Sequence, residues 1–268
     1  MKTEVSVIMG VSPASSETEL LEAVESILTQ TKQEFEFIIC NDGASVFCTD
    51  LLKRLEQKDK RVHLLENKSN MGLAYSLNRC MEVAKGKYIA RMDADDKSHK
   101  ERLEREVTYL EKHPKVALVG CSSWLFDENE VWGIRRMKQE PERKDFLWGN
   151  PFMHPTICIR RTVLKKAGGY FVSKETRRLE DYELFMRIYE LGYCGKNLIE
   201  PYYYFREDKE AVKRKKYKFR IDEVKIRYRG FKRLGLLPKG TLYIFKPLLV
   251  GVIPYNLLRK LRQEEIHG

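Results

Sequence analysis

The residues most suited to chemistry form one acidic run, Asp93-Ala94-Asp95-Asp96, directly after the apolar stretch Tyr88 to Met92. Two carboxylates two positions apart at the end of an extended segment point to the same side, where they can share a hard divalent cation such as Mg2+ or Mn2+. The third acid, Asp96, follows at once. Three acids in an otherwise buried region repel one another unless a cation or hydrogen-bond donors offset the charge. The competing explanation is helix capping, since Asp is favoured at helix starts and Ser98 could serve the same way. A second acidic group, Glu180-Asp181 with Glu183, admits the same two readings, a reactive carboxylate or charges that complement a helix dipole. Asn41-Asp42-Gly43 is good turn chemistry in any protein. His154, in Asn150-Pro151-Phe152-Met153-His154-Pro155-Thr156, is a lone histidine, and such residues are more often structural than catalytic.

The elements that position these groups alternate in type. Val5 to Met9 is a short β-branched run ending at Gly10, and a loop with Ser12, Pro13, Ser15 and Ser16 follows. Leu20, Leu21, Val24, Ile27 and Leu28 recur at helical spacing within Glu17 to Gln30. The pattern then predicts a strand over Phe35 to Cys40, a helix over Asp50 to Gln57, a strand over Val62 to Leu65, a helix over Leu73 to Ala84 and a strand over Tyr88 to Met92. Such βαβ alternation implies a mostly parallel sheet with right-handed crossovers and helices on both faces. Ligands of open α/β sheets bind beyond the carboxyl ends of the strands. Three loops, Gly10 to Pro13, Asn41 to Gly43 and Asp93 to Asp96, are therefore expected to meet at one crevice. Further on, the sequence predicts a helix over Glu101 to His113 stopped by Pro114, strands over Val116 to Gly120 and Thr156 to Ile159, and a helix over Glu180 to Leu191. Residues 122–150 are mixed and read as strands and loops, and Lys209 to Arg233 reads as a long basic helix.

A chain of 268 residues with 43% hydrophobic and 11% aromatic residues has enough apolar material for a substantial core. Its six cysteines are at least eight positions apart and form no C-x-x-C pair, which excludes a disulfide scaffold or zinc-ribbon reading and leaves buried reduced thiols. The start Met1-Lys2-Thr3-Glu4 lacks the pattern of a signal peptide, so a cytoplasmic protein is expected.

The net charge of +11 is concentrated at one end. Residues 206–268 hold 18 Lys and Arg against 7 Asp and Glu, while residues 1–205 balance at 32 each. A neutral body with a basic tail points to an anionic partner for the tail. The tail interleaves its cations with Tyr217, Phe219, Ile221, Val224, Ile226, Tyr228 and Phe231, and continues into apolar runs broken by Lys246, Pro247 and Pro254. These runs are too short for a bilayer span, which needs ~20 continuous apolar residues. Basic, aromatic and amphipathic together, the segment suits an interfacial membrane anchor; an ordinary helix packed on the body is the alternative. Nucleic acid is disfavoured, because no nucleic-acid motif accompanies the charge.

Ala84 to Met92 leading into Asp93-Ala94-Asp95-Asp96, with Lys97-Ser98 and Glu101-Arg102-Leu103 after it, resembles the nucleotide-sugar signature of family 2 glycosyltransferases. The segments Val5 to Met9, Ser26 to Thr31, Phe35 to Gly43 and Asn70-Met71-Gly72-Leu73-Ala74 resemble that family's N-terminal half, and the similarity extends over residues 4–205 in order and spacing. The resemblance implies a GT-A fold: an α/β catalytic domain over 1–205, with a nucleotide-binding half (1–100) and an acceptor half (101–205), followed by the basic helical extension 206–268. It implies inverting sugar transfer from a nucleotide-sugar donor, a UDP-sugar, to a glycan or lipid-linked acceptor in surface polysaccharide synthesis. Asp42 then contacts the uracil ring, for which either its oxygen or that of Asn41, where the family usually has Asp, could accept from N3–H. Gly10, Asn70 and Gly72 line the nucleotide, Asp93 contacts the ribose, and Asp95 binds the Mn2+ or Mg2+ on the diphosphate. Asp96, Glu180 and His154 are supporting or acceptor- and phosphate-facing groups. Leu179-Glu180-Asp181-Tyr182-Glu183-Leu184 resembles the family's E-D-x-x-L motif, which makes Asp181 the general base. Phe171 to Arg178, after Gly168-Gly169-Tyr170, resembles a mobile acceptor loop. Gly10-Val11-Ser12-Pro13 departs from the family, which often has Pro-x-Tyr-Asn there, so an aromatic contact to the base is missing at Ser12. Two other readings stay open. A nucleotidyltransferase making sugar nucleotides would want a basic Gly-rich loop where Ser12-Pro13-Ala14-Ser15-Ser16 stands; a non-catalytic membrane-bound assembly partner would retain the fold alone. The expected location is the inner face of the cytoplasmic membrane.

Overall fold

The structure is a computed structural model, and it describes residues 3–207 and 217–253. Nine strands and nine helices are assigned among these. They are β1 (Val5–Val11), α1 (Glu17–Leu28), β2 (Phe35–Asn41), α2 (Val46–Lys58), β3 (Val62–Glu66), α3 (Leu73–Val83), β4 (Tyr88–Arg91), β5 (Lys97–Ser98) and α4 (Arg102–Lys112). After them come β6 (Val116–Phe126), β7 (Val131–Arg135), β8 (Cys158–Arg160), α5 (Arg161–Lys166), α6 (Glu180–Glu190), β9 (Cys194–Arg206), α7 (Lys218–Arg233), α8 (Thr241–Ile244) and α9 (Lys246–Val252).

All strands join one sheet in the order β3-β2-β1-β4-β8-β6-β9-β5, with β7 added on β6. The first four are parallel, as the βαβ alternation requires. Beyond β4 the directions mix: β8 is antiparallel to β4 and β6, β9 runs parallel to β6, and β5 is antiparallel to β9.

Strand periodicity divides the core into two layers. Val5, Val7, Met9 and Val11 pack with Phe35, Phe37, Ile39, Tyr88, Ala90 and Met92 against α1, α2 and α4. The alternate residues Ile8, Ile38, Cys40 and Ile89 face α3, α5, α6 and α7. The start of β4 is held by a buried polar cluster. Ser6 Oγ donates to Glu36 Oε1 (2.6 Å), which also accepts from Lys85 N–H (2.7 Å), and Ser6 Oγ accepts from Gly86 N–H (2.8 Å). Gly86 is required here, because a Cβ would lie 2.5 Å from the Ser6 nitrogen and 2.7 Å from the Val5 carbonyl carbon.

Two expectations need correction. The strand predicted over Thr156 to Ile159 starts later: His154–Thr156 is a 3-10 turn, and only Cys158–Arg160 is extended. Pro155, which cannot donate to a ladder, sits in that turn. The strand predicted to end at Gly120 runs on to Phe126, because β7 and β9 flank it on both sides. β9 itself escapes the sequence reading, since Pro201 and its charged residues break the strand pattern. Of the long basic helix, residues 218–233 are helical and residues 209–216 lie outside the described residues. That helix packs on α6, with Ile226 and Phe231 in the second core layer and Met186 filling the space beside Gly230.

Candidate active site

The acidic run follows β4, where the parallel half of the sheet meets its mixed half. One ligand oxygen from each of Asp93, Asp95 and Asp96 can be chosen so that all three lie within 4.8 Å of one another. Asp95 is exposed, Asp93 is half-buried and Asp96 is buried. Strand β9 anchors the run: Arg206 N–H donates to Asp96 Oδ1 (2.7 Å), Arg206 Nε donates to the Asp95 carbonyl (3.0 Å), and Asp93 N–H donates to the Tyr203 hydroxyl (3.3 Å). Among the described residues Asp96 Oδ2 has no well-aligned hydrogen-bond partner, although the Tyr203 hydroxyl lies close enough to the carboxyl to oppose its rise. A buried carboxylate oxygen left unpaired is costly, and a hard cation among these oxygens would relieve it. The residues therefore fit a divalent ion, and helix capping does not account for them: the next helix begins six residues later, with Glu101 at its cap.

Burial, then the charges of Asp93 and Asp95, raises the Asp96 carboxyl well above its ordinary value. Asp95 is pushed up to about 6 by the protein packed around it and then by Asp93. Its side chain reaches solvent, so water screens part of that push.

Behind the acids lies Arg91, 3% exposed, with Nη2 against Asp93 Oδ1. Burial opposes its charge, but Asp93 beside it more than compensates and keeps it protonated. Its Nε and Nη1 have no hydrogen-bond partner. Its field reaches Asp95, Glu180 and Asp181, where it favours the ionised forms, and His154, where it favours the neutral one. Arg102, fully buried on α4, ties this corner together. Its Nη2 donates to the Arg91 carbonyl (3.0 Å), its Nη1 donates to the Pro155 carbonyl (3.1 Å), and its guanidinium lies over the Tyr203 ring.

Glu180 and Asp181 open α6, whose first turn welcomes negative charge. Asp181 Oδ2 accepts from Asn150 Nδ2 (2.7 Å) and Oδ1 from Tyr182 N–H (2.8 Å), which fixes the carboxylate. Burial raises the Asp181 carboxyl, while the Tyr182 N–H, Arg91 and Asn150 oppose that rise. Glu180 is buried with Oε2 unpaired, and burial followed by the Asp181 charge lifts it to about 7. His154 is buried, its Nε2 2.8 Å from the Tyr170 hydroxyl, and burial followed by Arg91 holds it neutral.

The other expected residues are placed as follows. Asp42 is buried, with Oδ1 accepting from Asn67 Nδ2 (2.6 Å) and Met71 N–H (2.7 Å), and Oδ2 from Gly72 N–H (2.8 Å). Asp42 therefore shapes the loop before α3, which explains the positive φ of 91° at Gly72. The space beside Gly10 is taken by Leu73 of α3, 3.1 Å from where a Cβ would stand. Asn70 is exposed. Arg91, Asn150 and Arg206 are contributors that the sequence reading did not assign. Arg91 was detectable as a charged residue in a strand otherwise built for burial; Asn150 opens the segment singled out around His154 but was given no role there, and Arg206 gave no local signal.

Residues 6–168 match the family profile described as Glycosyl transferase family 2. EpsE of Bacillus subtilis, assigned as a glycosyltransferase, is 38% identical over 264 residues, covering 98% of this chain and 94% of EpsE. The amylovoran biosynthesis glycosyltransferase AmsE of Erwinia amylovora is 28% identical over 275 residues, covering 98% of this chain and 99% of AmsE. Among solved structures, residues 1–349 of S. aureus TarS, in complex with UDP-GlcNAc, align with a TM-score of 0.68 at 18% identity, over 87% of this chain and 70% of that one. The mannosyltransferase PcManGT from Pyrobaculum calidifontis, in complex with GDP-Man and Mn2+, aligns with a TM-score of 0.61 at 17% identity, over 99% of this chain and 80% of that one. At these identities the two structures speak to the fold.

Asp95 and Asp96 must lose their protons to bind a cation, and both hold them more tightly than free aspartate does. Mn2+ affinity should therefore decline by about tenfold or more between about pH 7.5 and about pH 5.5. Asp96→Asn should flatten that decline. Titration calorimetry checks both, and an affinity that does not change over the interval would remove these two residues as ligands.

Proposed function

The chain belongs to glycosyl transferase family 2 and is a glycosyltransferase of GT-A fold, and from that premise we propose that it moves a sugar from a UDP-sugar to a glycan or lipid-linked acceptor, with inversion, in surface polysaccharide synthesis. The observation that carries this reading is the acid cluster with its unpaired Asp96 oxygen, together with an Asp181 carboxylate within reach of the same Arg91 charge. Residues 1–205 form the catalytic domain, 1–100 on the nucleotide side and 101–205 on the acceptor side, and residues 206–268 form the extension.

Asp181 takes the proton from the acceptor hydroxyl as that oxygen forms its bond to the anomeric carbon. Asn150 and the Tyr182 N–H hold it for this. On the opposite face of the sugar, the bond from the anomeric carbon to the diphosphate oxygen breaks. Asp95 and Asp96 would hold Mn2+ or Mg2+, which supplies positive charge for the departing diphosphate. Asp93, fixed by Arg91, takes the ribose. Asp42 reaches the base through Oδ2, which carries one N–H where Oδ1 carries two donors. The main chain at Gly10 and the Asn70–Gly72 segment complete the nucleoside wall. His154, neutral and bonded to Tyr170, is a supporting group close enough to Arg91 to feel its charge.

Among the described residues no helix is long and apolar enough to cross a membrane. One face of the extension nevertheless exposes apolar side chains: Leu242, Phe245, Leu249 and Val252, the first of them 82% exposed. Trp148 stands beside them with the Lys246 ammonium over its ring at 5.0 Å. Apolar and aromatic groups edged by cations suit the interface of an anionic bilayer, and we assign this face to peripheral contact with the inner side of the cytoplasmic membrane.

Asp181→Asn should lower transfer by about a thousandfold while leaving metal-dependent UDP binding intact. Asn150→Ala should lower kcat by about tenfold to a hundredfold and move the acid limb of the pH profile upward, since its N–H favours the ionised base. Steady-state kinetics with a donor panel checks both, and full activity in Asp181→Asn would remove it from the mechanism. In co-sedimentation, the full chain should bind vesicles containing anionic lipid, and Leu242→Glu with Leu249→Glu should weaken this about tenfold. Equal binding by the double variant would take the membrane contact away from this face.

A further inference from the structure

One fully buried ionisable pair takes no part in the proposed transfer: Arg102 and Glu106, four residues apart on α4 and both 0% exposed. The pair is poorly made for stability. Arg102 Nε stands 3.7 Å from Glu106 Oε2, and among the described residues neither that nitrogen nor either Glu106 oxygen has a hydrogen-bond partner. Burial lifts the Glu106 carboxyl to about 8, with Arg102 opposing the rise, so near neutral pH it is mostly protonated and offers the guanidinium little countercharge. A buried charge held in this way is less stable than well-packed apolar groups of the same volume.

The guanidinium is turned instead toward the main chain behind the acids. Nη2 donates to the Arg91 carbonyl at the end of β4 (3.0 Å), and Nη1 donates to the Pro155 carbonyl in the turn before β8 (3.1 Å). Its charge also lies 5.2 Å from the centre of the Tyr203 ring on β9, whose hydroxyl accepts from the Asp93 N–H (3.3 Å). Arg91 N–H and Met92 N–H still bond main-chain carbonyls, those of Ile157 (2.8 Å) and Ile8 (3.1 Å), whereas from Asp93 the N–H goes to a side chain. Arg102 thus holds the chain where the acid run leaves the sheet. An apolar side chain could fill its volume but could supply neither N–H.

We propose that Arg102 is a positioning residue for the donor-side acids, fixing the Arg91 peptide, the turn at Pro155 and the Tyr203 ring so that Asp95 and Asp96 keep the spacing a divalent ion needs and Asp93 stays beside Arg91. This rests on the metal-binding reading of the acid cluster and deepens it. Arg102 touches neither the metal nor the donor. Its effect passes through the main chain of β4 and the ring on β9, and groups that orient metal ligands in this way carry a measurable share of the affinity.

The test separates positioning from packing on the full chain. Arg102→Met with Glu106→Leu replaces the pair by apolar groups of similar size, and this double variant should keep its thermal midpoint within about 5 °C of the native value. The amides of Arg91, Met92 and Asp93 should nonetheless exchange hydrogen at least about tenfold faster, and calorimetry should show Mn2+ affinity about tenfold weaker. Arg102→Lys, which keeps the charge and one donor group, should fall between the two in both readouts. Native exchange rates and native Mn2+ affinity in a folded double variant would overturn the proposal. If the double variant does not fold, Arg102→Lys decides: native values in both readouts would make the pair a structural one. A native chain that binds no Mn2+ would remove the metal reading itself, while the exchange rates still report whether Arg102 holds the run.

Discussion

One buried guanidinium balances a hollow full of carboxylates. Arg91 is 3% exposed and among the described residues pairs directly only with Asp93, yet its field reaches Asp95, Glu180 and Asp181 as well. Five acids outnumber the one buried guanidinium, and burial first, then at Asp95, Asp96 and Glu180 the neighbouring carboxylates, raises the carboxyls of Asp95, Asp96, Glu180 and Asp181. A structural protein would remove such an imbalance, because an unpaired buried charge costs more than an apolar replacement. On the proposed glycosyl-transfer reading, a metal ion and a transferred proton would each relieve part of it.

The rest of the fold holds that charge arrangement in place. Arg102 grips the carbonyls of Arg91 and Pro155, joining the end of β4 to the turn before β8. β9 brings Tyr203 and Arg206 to the acids from the far side of the sheet, and Arg206 also meets Glu19 and Glu22 of α1. Asn150 reaches across from the segment before β8 to hold Asp181. Parallel strands supply the crevice, and the mixed half of the sheet supplies the groups that fix its contents.

Local pattern carried the parallel half. β-branched runs, helical spacing and the Asp-x-Asp run each lie within a dozen residues, so β1 to β4 and the acid cluster were readable from the chain. The mixed half depends on long-range pairing: β9 contains Pro201 and reads poorly as a strand until β6 is beside it. Positions that act through distant partners were hidden for the same reason. Asn150 and Asp181 are 31 residues apart, and Arg206 and Asp96 are 110 apart. Asp42 shows the converse, since its turn chemistry was plain but its grip on the Met71 and Gly72 N–H groups was not.

The most direct test of the charge balance is anomalous scattering from crystals of the full chain grown with UDP and Mn2+. The account places one Mn2+ at the carboxylates of Asp95 and Asp96, beside the UDP diphosphate, with the ribose at Asp93. UDP bound with no anomalous peak at this cluster, or with Mn2+ elsewhere on the chain, would contradict it.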